Sequence, residues 1–297
     1  MKVQNYNIVI LDKVKDYQSL IKLRLALSVV FSACTAYVLG SDVLSLSGLF
    51  LIGLGGLLVT ASSNTLNQVL EKDTDKLMNR TKNRPLASGR MDVSEAVLIA
   101  GLTGTLGIII LSLFNPLSAV LGALSLVSYA FIYTPMKKVS PAAVWIGAIP
   151  GALPMAIGWI AASNSGTLST EAIFLFSLQF LWQFPHFWAI AWVAYDDYAK
   201  AGFYLLPSNQ KDGRNKSTAL QIIFYVICLI LLSYVPFYIF EISGFYACTV
   251  MMISGFVFLY YALKLYVSCD NNSAKKLMFA SLFYQLVVFV SLMIDKI

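Results

Sequence analysis

The chain has 297 residues, of which 58% are hydrophobic and only 12% are charged, and its mean hydropathy is +0.74. Soluble domains carry about 25% charged residues, so this composition excludes an ordinary soluble domain and predicts a protein solvated mainly by lipid. The net charge of +6 does not indicate nucleic-acid binding, because the sequence contains no soluble basic domain that would carry this function.

Nine apolar runs follow one another along the chain, each close to the ~20 residues that a helix needs to cross a bilayer. We therefore expect an all-α, polytopic membrane protein with nine transmembrane helices, preceded by a cytoplasmic segment at 1–20. Because such a bundle is one packing unit, we expect a single domain over 1–297. The runs are 21–41, 46–68, 93–114, 117–134, 141–162, 170–192, 218–239, 241–263 and 275–294.

The basic residues are distributed unevenly between the two ends of the predicted helices. Of the 21 lysines and arginines, all but Lys296 lie in the N-terminal segment or in every second loop. The positive-inside rule then places the N-terminus in the cytoplasm and the C-terminus outside. Since no signal or transit peptide pattern precedes the first run, we predict a bacterial inner-membrane protein or a mature organellar one.

A stripe of polar residues ends the second predicted helix. Asn67, Glu71 and Asp75 are spaced four residues apart, with Asn64 one turn earlier, so the four share a face and Asp73 points away. Two carboxylates one turn apart repel each other unless a cation lies between them. Oxygen ligands of this kind suit Mg²⁺, which typically takes one or two carboxylates plus substrate phosphates.

Basic residues surround this stripe and continue directly after it. Arginine matches phosphate oxygens with a planar fork and lysine acts as a point charge, so the segment suits a metal–diphosphate ligand. The same residues also fit a solvated helix end, in which Lys72 and Lys76 pair with the acids, and simple anchoring at the membrane surface. The candidate diphosphate ligands are Asn64, Lys72, Arg80, Lys82, Arg84 and Lys137.

The stripe resembles the first aspartate-rich motif, N-x-x-x-D-x-x-x-D, of the UbiA superfamily of intramembrane prenyltransferases, with Glu71 in place of an aspartate. The segment MNRTKNRPL at 78–86 is similar to the haem O synthase branch in particular. The resemblance covers about residues 20 to 290. Further stretches that carry it are YTPMKK at 133–138, GAIPGALP at 147–154, GW at 158–159, LWQFPHFW at 181–188 and DYAKAGF at 197–203.

This resemblance implies a nine-helix bundle with a central cavity open toward the cytoplasm. It also implies Mg²⁺-dependent transfer of the farnesyl group of farnesyl diphosphate to a vinyl group of haem B, with addition of water, giving haem O and diphosphate. Haem A synthase and terminal-oxidase assembly factors are the implied partners. The implied catalytic residues are Asn67, Glu71, Asp75, Lys138 and His186.

The second acidic motif of the superfamily, D-x-x-x-D, is only half present. Asp197 matches one end, whereas Val193 stands at the other, and the adjacent Asp196 cannot face the same metal from a regular helix. The implied metal ligands are Asn67, Glu71, Asp75, Asp197 and, with less support from the pattern, Asp196.

His186 is the only histidine and lies near the cytoplasmic end of the sixth predicted helix. A single histidine among aromatic residues is often a packed or interfacial group, but neutral imidazole is also a common ligand of haem iron. The resemblance implies contact with haem for His186 and Gln183, and it leaves open whether His186 ligates iron or moves a proton.

Three other functions share parts of this pattern. A prenyltransferase for a quinone-ring aromatic acid would use the same diphosphate site with another acceptor. A secondary transporter would place its acids near the bilayer midplane. A non-catalytic haem chaperone would not need the residues around the stripe.

Overall fold

The computed structural model describes residues 2–163, 165–208 and 213–296, with side chains from residue 11 onward. Over this part of the chain the regular structure is helical, and nine helices are long and apolar enough to cross a membrane, as predicted. A helix α1 (Lys2–Leu20) precedes them. The nine are α2 (Leu23–Gly40), α3 (Leu46–Asp75), α4 (Val93–Ser112), α5 (Pro116–Met136), α6 (Ala143–Ala162), α7 (Thr170–Val193), α8 (Lys216–Tyr238), α9 (Phe245–Ser268) and α10 (Asn271–Ile294).

Helix α3 is longer than its apolar run, because it continues for 30 residues to Asp75 and carries the whole polar stripe in helical geometry. Side-chain caps fix where several spans begin. Ser45 accepts from the backbone of Gly48, and Asn115 accepts from that of Ser118. Such caps satisfy amide groups that would otherwise lack a partner at a helix start.

Helices α6 and α7 form the middle of the bundle. In their apolar windows 67% and 61% of residues are buried by protein, against 22% for α4, which is mostly left to lipid. Close helix approach depends on small residues, since a Cβ at Gly158 on α6 would lie 2.1 Å from the carbonyl oxygen of Ala33 on α2. The C-terminal half of α2 is thereby held beside the centre of the bundle.

Helix α5 contains a π-helical turn at Ser128–Tyr133. Pro135, two residues after the turn, has no amide hydrogen to donate, and the Thr134 hydroxyl donates to the Tyr129 carbonyl at 2.9 Å. Turns of this kind are common at functional sites. Here the wide turn directs both Tyr129 and Tyr133 toward the interior of the bundle.

Lys296, the one cation outside the charge pattern, has a local role at the opposite end of the bundle. Its ammonium group donates to the carbonyls of Val38 and Ser41, where α2 ends. A cation is favourable at a helix C-terminus, because the last carbonyls lack partners in the helix. The neighbouring Asp295 accepts from the backbone of Ala247 at 2.6 Å, so this segment ties α10 to the ends of α2 and α9.

Candidate active site

A cavity of about 440 Å³ occupies the half of the bundle that carries the basic loops. One wall consists of the polar stripe of α3 and the loop that follows it, and the opposite wall consists of α7 and α10. Between the walls lie the π turn of α5 and the start of α2.

The predicted stripe lines this cavity. Asn67, Glu71 and Asp75 are all at least 96% buried, whereas Asp73 is exposed and pairs with Lys76 at 2.8 Å. Asp75 does not pair with Lys72 or Lys76, so the alternative of a solvated helix end holds only for Asp73. The periodicity of α3 therefore separates one surface acid from three cavity-facing oxygen donors.

Each donor of the stripe is paired with a different cation. The Lys22 Nζ lies 2.6 Å from the Asn67 Oδ1, and the Lys137 Nζ lies 2.5 Å from the Glu71 Oε1. The Arg84 guanidinium donates to both carboxylate oxygens of Asp75, at 3.0 and 2.8 Å. Buried carboxylates need such partners, because an unpaired charge away from water is costly.

These residues leave the wall with an excess of positive charge. Two carboxylates face the basic groups of Lys22, Lys137 and Arg84, so the cluster carries one net positive charge when Lys22 is protonated, and Arg80 at the cavity edge adds another. A concave, positively charged wall of low dielectric concentrates anions. The arrangement therefore favours an anionic ligand.

Lys22 is a site residue that the sequence did not reveal. It joins α1 to α2 in the left-handed region, with φ of 51°, and its side chain reaches into the cavity. Burial, together with repulsion from Arg84 and Lys137, holds the pKa of Lys22 well below its usual range. In the sequence Lys22 is one of two basic residues at the start of an apolar run, a pattern that membrane anchoring explains equally well.

Asn64 supports this turn and does not line the cavity, which corrects its predicted place among the diphosphate ligands. Its side-chain amide donates to the Ile21 carbonyl at 2.9 Å. One turn later, the Gln68 amide donates to the carbonyls of Ser19 and Leu20, both at 2.8 Å. These bonds satisfy the backbone where α1 ends and hold Lys22 in place.

Lys137 rather than Lys138 faces the cavity. The Lys137 ammonium lies 4.8 Å from the Tyr133 ring centroid and pairs with Glu71, whereas Lys138 is exposed and contributes nothing to the cavity wall. Successive residues of a helix point about 100° apart, so only one of the pair can face inward. The catalytic role predicted for Lys138 is therefore not supported by its position.

The loop after α3 contributes two arginines to the cavity and leaves its lysines outside. Arg84 and Arg80 are cavity residues, and the Arg80 guanidinium donates to the Tyr198 hydroxyl at 2.9 Å. Lys82 is exposed and donates to Asn79 at 3.1 Å. Lys72 is also absent from the wall, so neither lysine is placed to bind a ligand there, contrary to their predicted role.

Asp197 and Asp196 lie outside the cavity wall. Asp197 accepts from the Arg80 backbone amide at 3.2 Å and from Lys200 at 3.0 Å, and the bond from Lys200 lowers the pKa of Asp197. Asp196 pairs with Arg214 at 3.4 Å and is largely exposed. In this conformation Asp197 fixes the arginine loop, and a second metal site at these aspartates stays a prediction.

The opposite wall carries His186, so the only histidine shares one cavity with the α3 stripe. Its Nδ1 lies 2.7 Å from the Ser281 Oγ on α10, and its ring stacks on Trp182 at 4.6 Å between centroids. Gln183, one turn before, donates to the Ala148 carbonyl at 2.9 Å. Deeper in the bundle, Gln285 donates to the side-chain oxygen of Gln179 at 2.9 Å.

The oxygen donors of the stripe fit Mg²⁺ only when a bound substrate supplies further oxygen ligands. Within the described residues, no group of three or more histidine, cysteine, aspartate or glutamate side chains is placed to hold a metal ion. Asn67, Glu71 and Asp75 offer oxygen donors on one face, which is the chemistry that Mg²⁺ prefers when substrate phosphates complete its shell. The residues therefore fit a metal shared with a phosphate-bearing substrate.

The fold and this cavity define a polytopic membrane protein that encloses an anion-binding wall within its transmembrane bundle. Residues 28–287 match the model of the UbiA prenyltransferase family. The chain belongs to the UbiA prenyltransferase family, and it is a membrane-embedded prenyltransferase.

Similar proteins place the chain within one branch of this family. It is 43% identical to a protoheme IX farnesyltransferase of Christiangramia forsetii over 286 residues, which cover 95% of this chain and 93% of the relative. It is 45% identical to a protoheme IX farnesyltransferase of Cytophaga hutchinsonii, with 95% and 97% covered.

Solved structures share the fold at low sequence identity. A digeranylgeranylglyceryl phosphate synthase superposes with a TM-score of 0.78 at 19% identity, covering 96% of this chain and 98% of that one. A UbiA homologue from Archaeoglobus fulgidus, solved with GPP and Mg²⁺, superposes with a TM-score of 0.66 at 16% identity, with 93% and 99% covered.

Proposed function

We propose that this chain is a protohaem IX farnesyltransferase, which transfers the farnesyl group of farnesyl diphosphate to a vinyl group of haem B. The observation that carries the proposal is the single cavity with two chemically different walls. One wall pairs carboxylates with cations, and the other presents His186 and Gln183. The names of the relatives given above indicate haem as the acceptor and a farnesyl group as the group transferred.

The reaction breaks the bond between farnesyl C1 and the diphosphate oxygen, and its electron pair leaves with diphosphate. A vinyl carbon of haem supplies the pair for the new carbon–carbon bond. Water then adds its oxygen to the resulting cation and loses one proton, which gives the hydroxyfarnesyl side chain of haem O. Because bulk water would capture the farnesyl cation first, the reaction needs a largely dry cavity.

On the α3 wall, Lys22, Lys137, Arg84 and Arg80 bind the diphosphate oxygens and stabilise the charge that develops as it departs. Groups already oriented toward that charge are usually the largest contribution to catalysis. Mg²⁺ bound by Asn67, Glu71 and Asp75 would neutralise part of the same charge. The three oxygen donors of the stripe hold Lys22, Lys137 and Arg84 in place before the substrate arrives.

Aromatic rings line the space between the two walls. Tyr129 and Tyr133 of the π turn lie 5.3 Å apart between ring centroids, and Phe187 borders the cavity beside His186. Ring faces attract cations, so these side chains are suited to stabilise the allylic cation while it crosses to the acceptor. On the far wall, His186 and Gln183 contact the haem.

The alternatives place different demands on this cavity. A transporter would place its acids near the middle of the membrane, whereas Glu71 and Asp75 lie in the last two turns of α3. We propose a bacterial inner-membrane location with the basic loops in the cytoplasm, supported by the charge asymmetry. Haem A synthase and terminal-oxidase assembly partners stay a prediction, which co-purification from membranes would test.

The test of this proposal compares acceptors. Purified protein in detergent is incubated with farnesyl diphosphate and Mg²⁺ together with either haem B or a quinone-ring aromatic acid, and products are resolved by mass. We expect haem B, and not the aromatic acid, to gain the mass of a farnesyl group plus water. Prenylation of the aromatic acid instead would reassign the acceptor, and haem binding without any product would support the chaperone.

A further inference from the structure

We infer that Ser281 on α10 is a positioning residue that fixes His186 in one tautomer, with the proton on Nδ1 and the lone pair of Nε2 presented to the cavity. The inference concerns the cavity wall formed by α7 and α10, here called the acceptor wall. It rests on the proposed function only for the identity of the ligand, haem iron. Ser281 stood in an apolar run and carried no signal of function in the sequence.

The tautomer follows from the hydrogen bonds of one hydroxyl group. Ser281 has a single proton to donate, and its Oγ lies 2.6 Å from the Met278 carbonyl, which can only accept. The same Oγ lies 2.7 Å from the His186 Nδ1. Since the serine proton is already used, the hydroxyl accepts from the imidazole, and Nδ1 must carry the proton.

The orientation of the ring is fixed by a second contact between α7 and α10. Trp182 stacks on His186 with an interplanar angle of 17°, and its indole nitrogen donates to the Ser281 carbonyl at 2.8 Å. Ser281 is completely buried and thus bonded to α7 through both its side chain and its backbone. Rotating the imidazole would break the serine bond and the stacking together.

The remaining ring nitrogen is available to a ligand. Within the described part of the chain, the His186 Nε2 has no hydrogen-bond partner, and the imidazole borders the cavity. A neutral imidazole with a free Nε2 is a common ligand of haem iron. A serine hydroxyl, unlike a carboxylate, holds the proton on Nδ1 without adding negative charge, so the ring stays neutral in this apolar surrounding.

Hydrogen-bond partners of a ligating histidine strongly affect how well it binds a metal. Partners that orient a ligating histidine typically contribute about 10-fold to 100-fold in metal affinity or activity. We therefore infer that Ser281 determines which ring nitrogen of His186 faces the cavity without a proton. This is what makes His186 an iron ligand instead of a packed side chain.

The experiment uses the fact that His186 is the only histidine. Full-length protein with ¹⁵N-labelled histidine, purified in detergent micelles without haem, gives the resonances of one imidazole, and protonated and unprotonated ring nitrogens are well resolved. We expect a protonated Nδ1 and an unprotonated Nε2 in the wild type. A proton on Nε2 in the wild type would overturn the inference.

Variants on the same helix separate positioning from folding. Ser281→Ala is expected to mix the tautomers, and Ser281→Thr, which keeps the hydroxyl, to restore the wild-type spectrum. Ser291→Ala is the matched control, because Ser291 is also buried on α10 and donates to the Val288 carbonyl at 2.9 Å, away from the cavity. An unchanged spectrum in Ser281→Ala would overturn the role of the serine.

Ferrous haem B, added as the probe, tests the consequence. The wild-type absorption spectrum is expected to show an imidazole ligand that is lost in His186→Ala, and Ser281→Ala is expected to bind haem about 10-fold to 100-fold more weakly. Identical spectra in the wild type and His186→Ala would overturn iron ligation. Product mass from the wild type is measured separately, so failure of this inference is distinguishable from failure of the proposed function.

Discussion

The cations of the α3 wall come from three different parts of the fold. Lys22 comes from the junction of α1 and α2, Lys137 from the end of α5, and Arg84 from the loop after α3. Each is paired with one oxygen donor of the stripe, so single substitutions test the three parts one at a time.

Replacement of Lys22 by methionine is expected to weaken binding of farnesyl diphosphate by about 10-fold to 100-fold, because a charge-assisted hydrogen bond contributes about 1.5–3 kcal/mol. The measurement is KM for farnesyl diphosphate. Arg24→Met is the control, since Arg24 is exposed two residues away and does not border the cavity. Equal effects of the two changes would show that only general membrane charge matters.

The lowered pKa of Lys22 predicts a pH dependence. As pH rises through that lowered pKa, Lys22 loses its proton and attracts diphosphate less, so KM should rise on the alkaline side. Lys22→Arg keeps its charge at any accessible pH and should move this rise to higher pH. If the rise of KM at alkaline pH is unchanged in Lys22→Arg, another group causes it.

Lys137→Met is expected to destabilise the protein by about 3–5 kcal/mol, because Glu71 would remain buried without a partner. Lys138→Met should have little effect, since this side chain is exposed. Thermal unfolding in detergent checks both changes. The double change Lys137→Met with Glu71→Gln should recover most of the lost stability while activity stays low; no recovery would contradict the buried pair.

At the scale of helices, features that depend on the spacing of residues within one helix could be predicted from the sequence. Features that depend on contacts between helices could not. The nine spans and the stripe of Asn67, Glu71 and Asp75 follow from hydropathy and from the 100° spacing of residues in one helix. Lys22 and Ser281 were not predictable, because their roles depend on neighbours 45 and 95 residues away. The sequence predicted a catalytic role for Lys138 and diphosphate binding for Lys137; the structure places Lys137 at the cavity and Lys138 on the surface.

Helix α6 leaves room for Gln183 because Gly151 has no side chain. A Cβ at Gly151 would lie 2.0 Å from the Gln183 Oε1, so Gly151→Ala is expected to displace Gln183 and weaken haem binding. Gly101→Ala on α4 meets no atom within 4 Å and should bind haem normally. Haem titration compares the two, and equal binding would argue against Gln183 as part of the acceptor wall.

At the scale of the whole molecule, the basic residues and the cavity lie at the same end of the bundle. We predict that this end faces the cytoplasm. A cysteine at Val43, exposed at the opposite end, should react with a membrane-impermeant thiol reagent in intact cells, whereas one at Ser88 should react only after lysis. The parent is a variant in which the four native cysteines are replaced. Reaction of Ser88→Cys alone in intact cells would reverse the orientation.

The most direct test of the proposed mechanism measures haem binding and product mass together for one change on the α3 wall. Glu71→Gln, in protein purified with haem B, farnesyl diphosphate and Mg²⁺, is expected to bind haem normally and to form almost no farnesylated, hydrated haem. Asp73→Asn, on the exposed face of the same helix, should match the wild type in both. A Glu71→Gln protein that forms product at the wild-type rate would contradict the assignment of this wall to prenyl transfer.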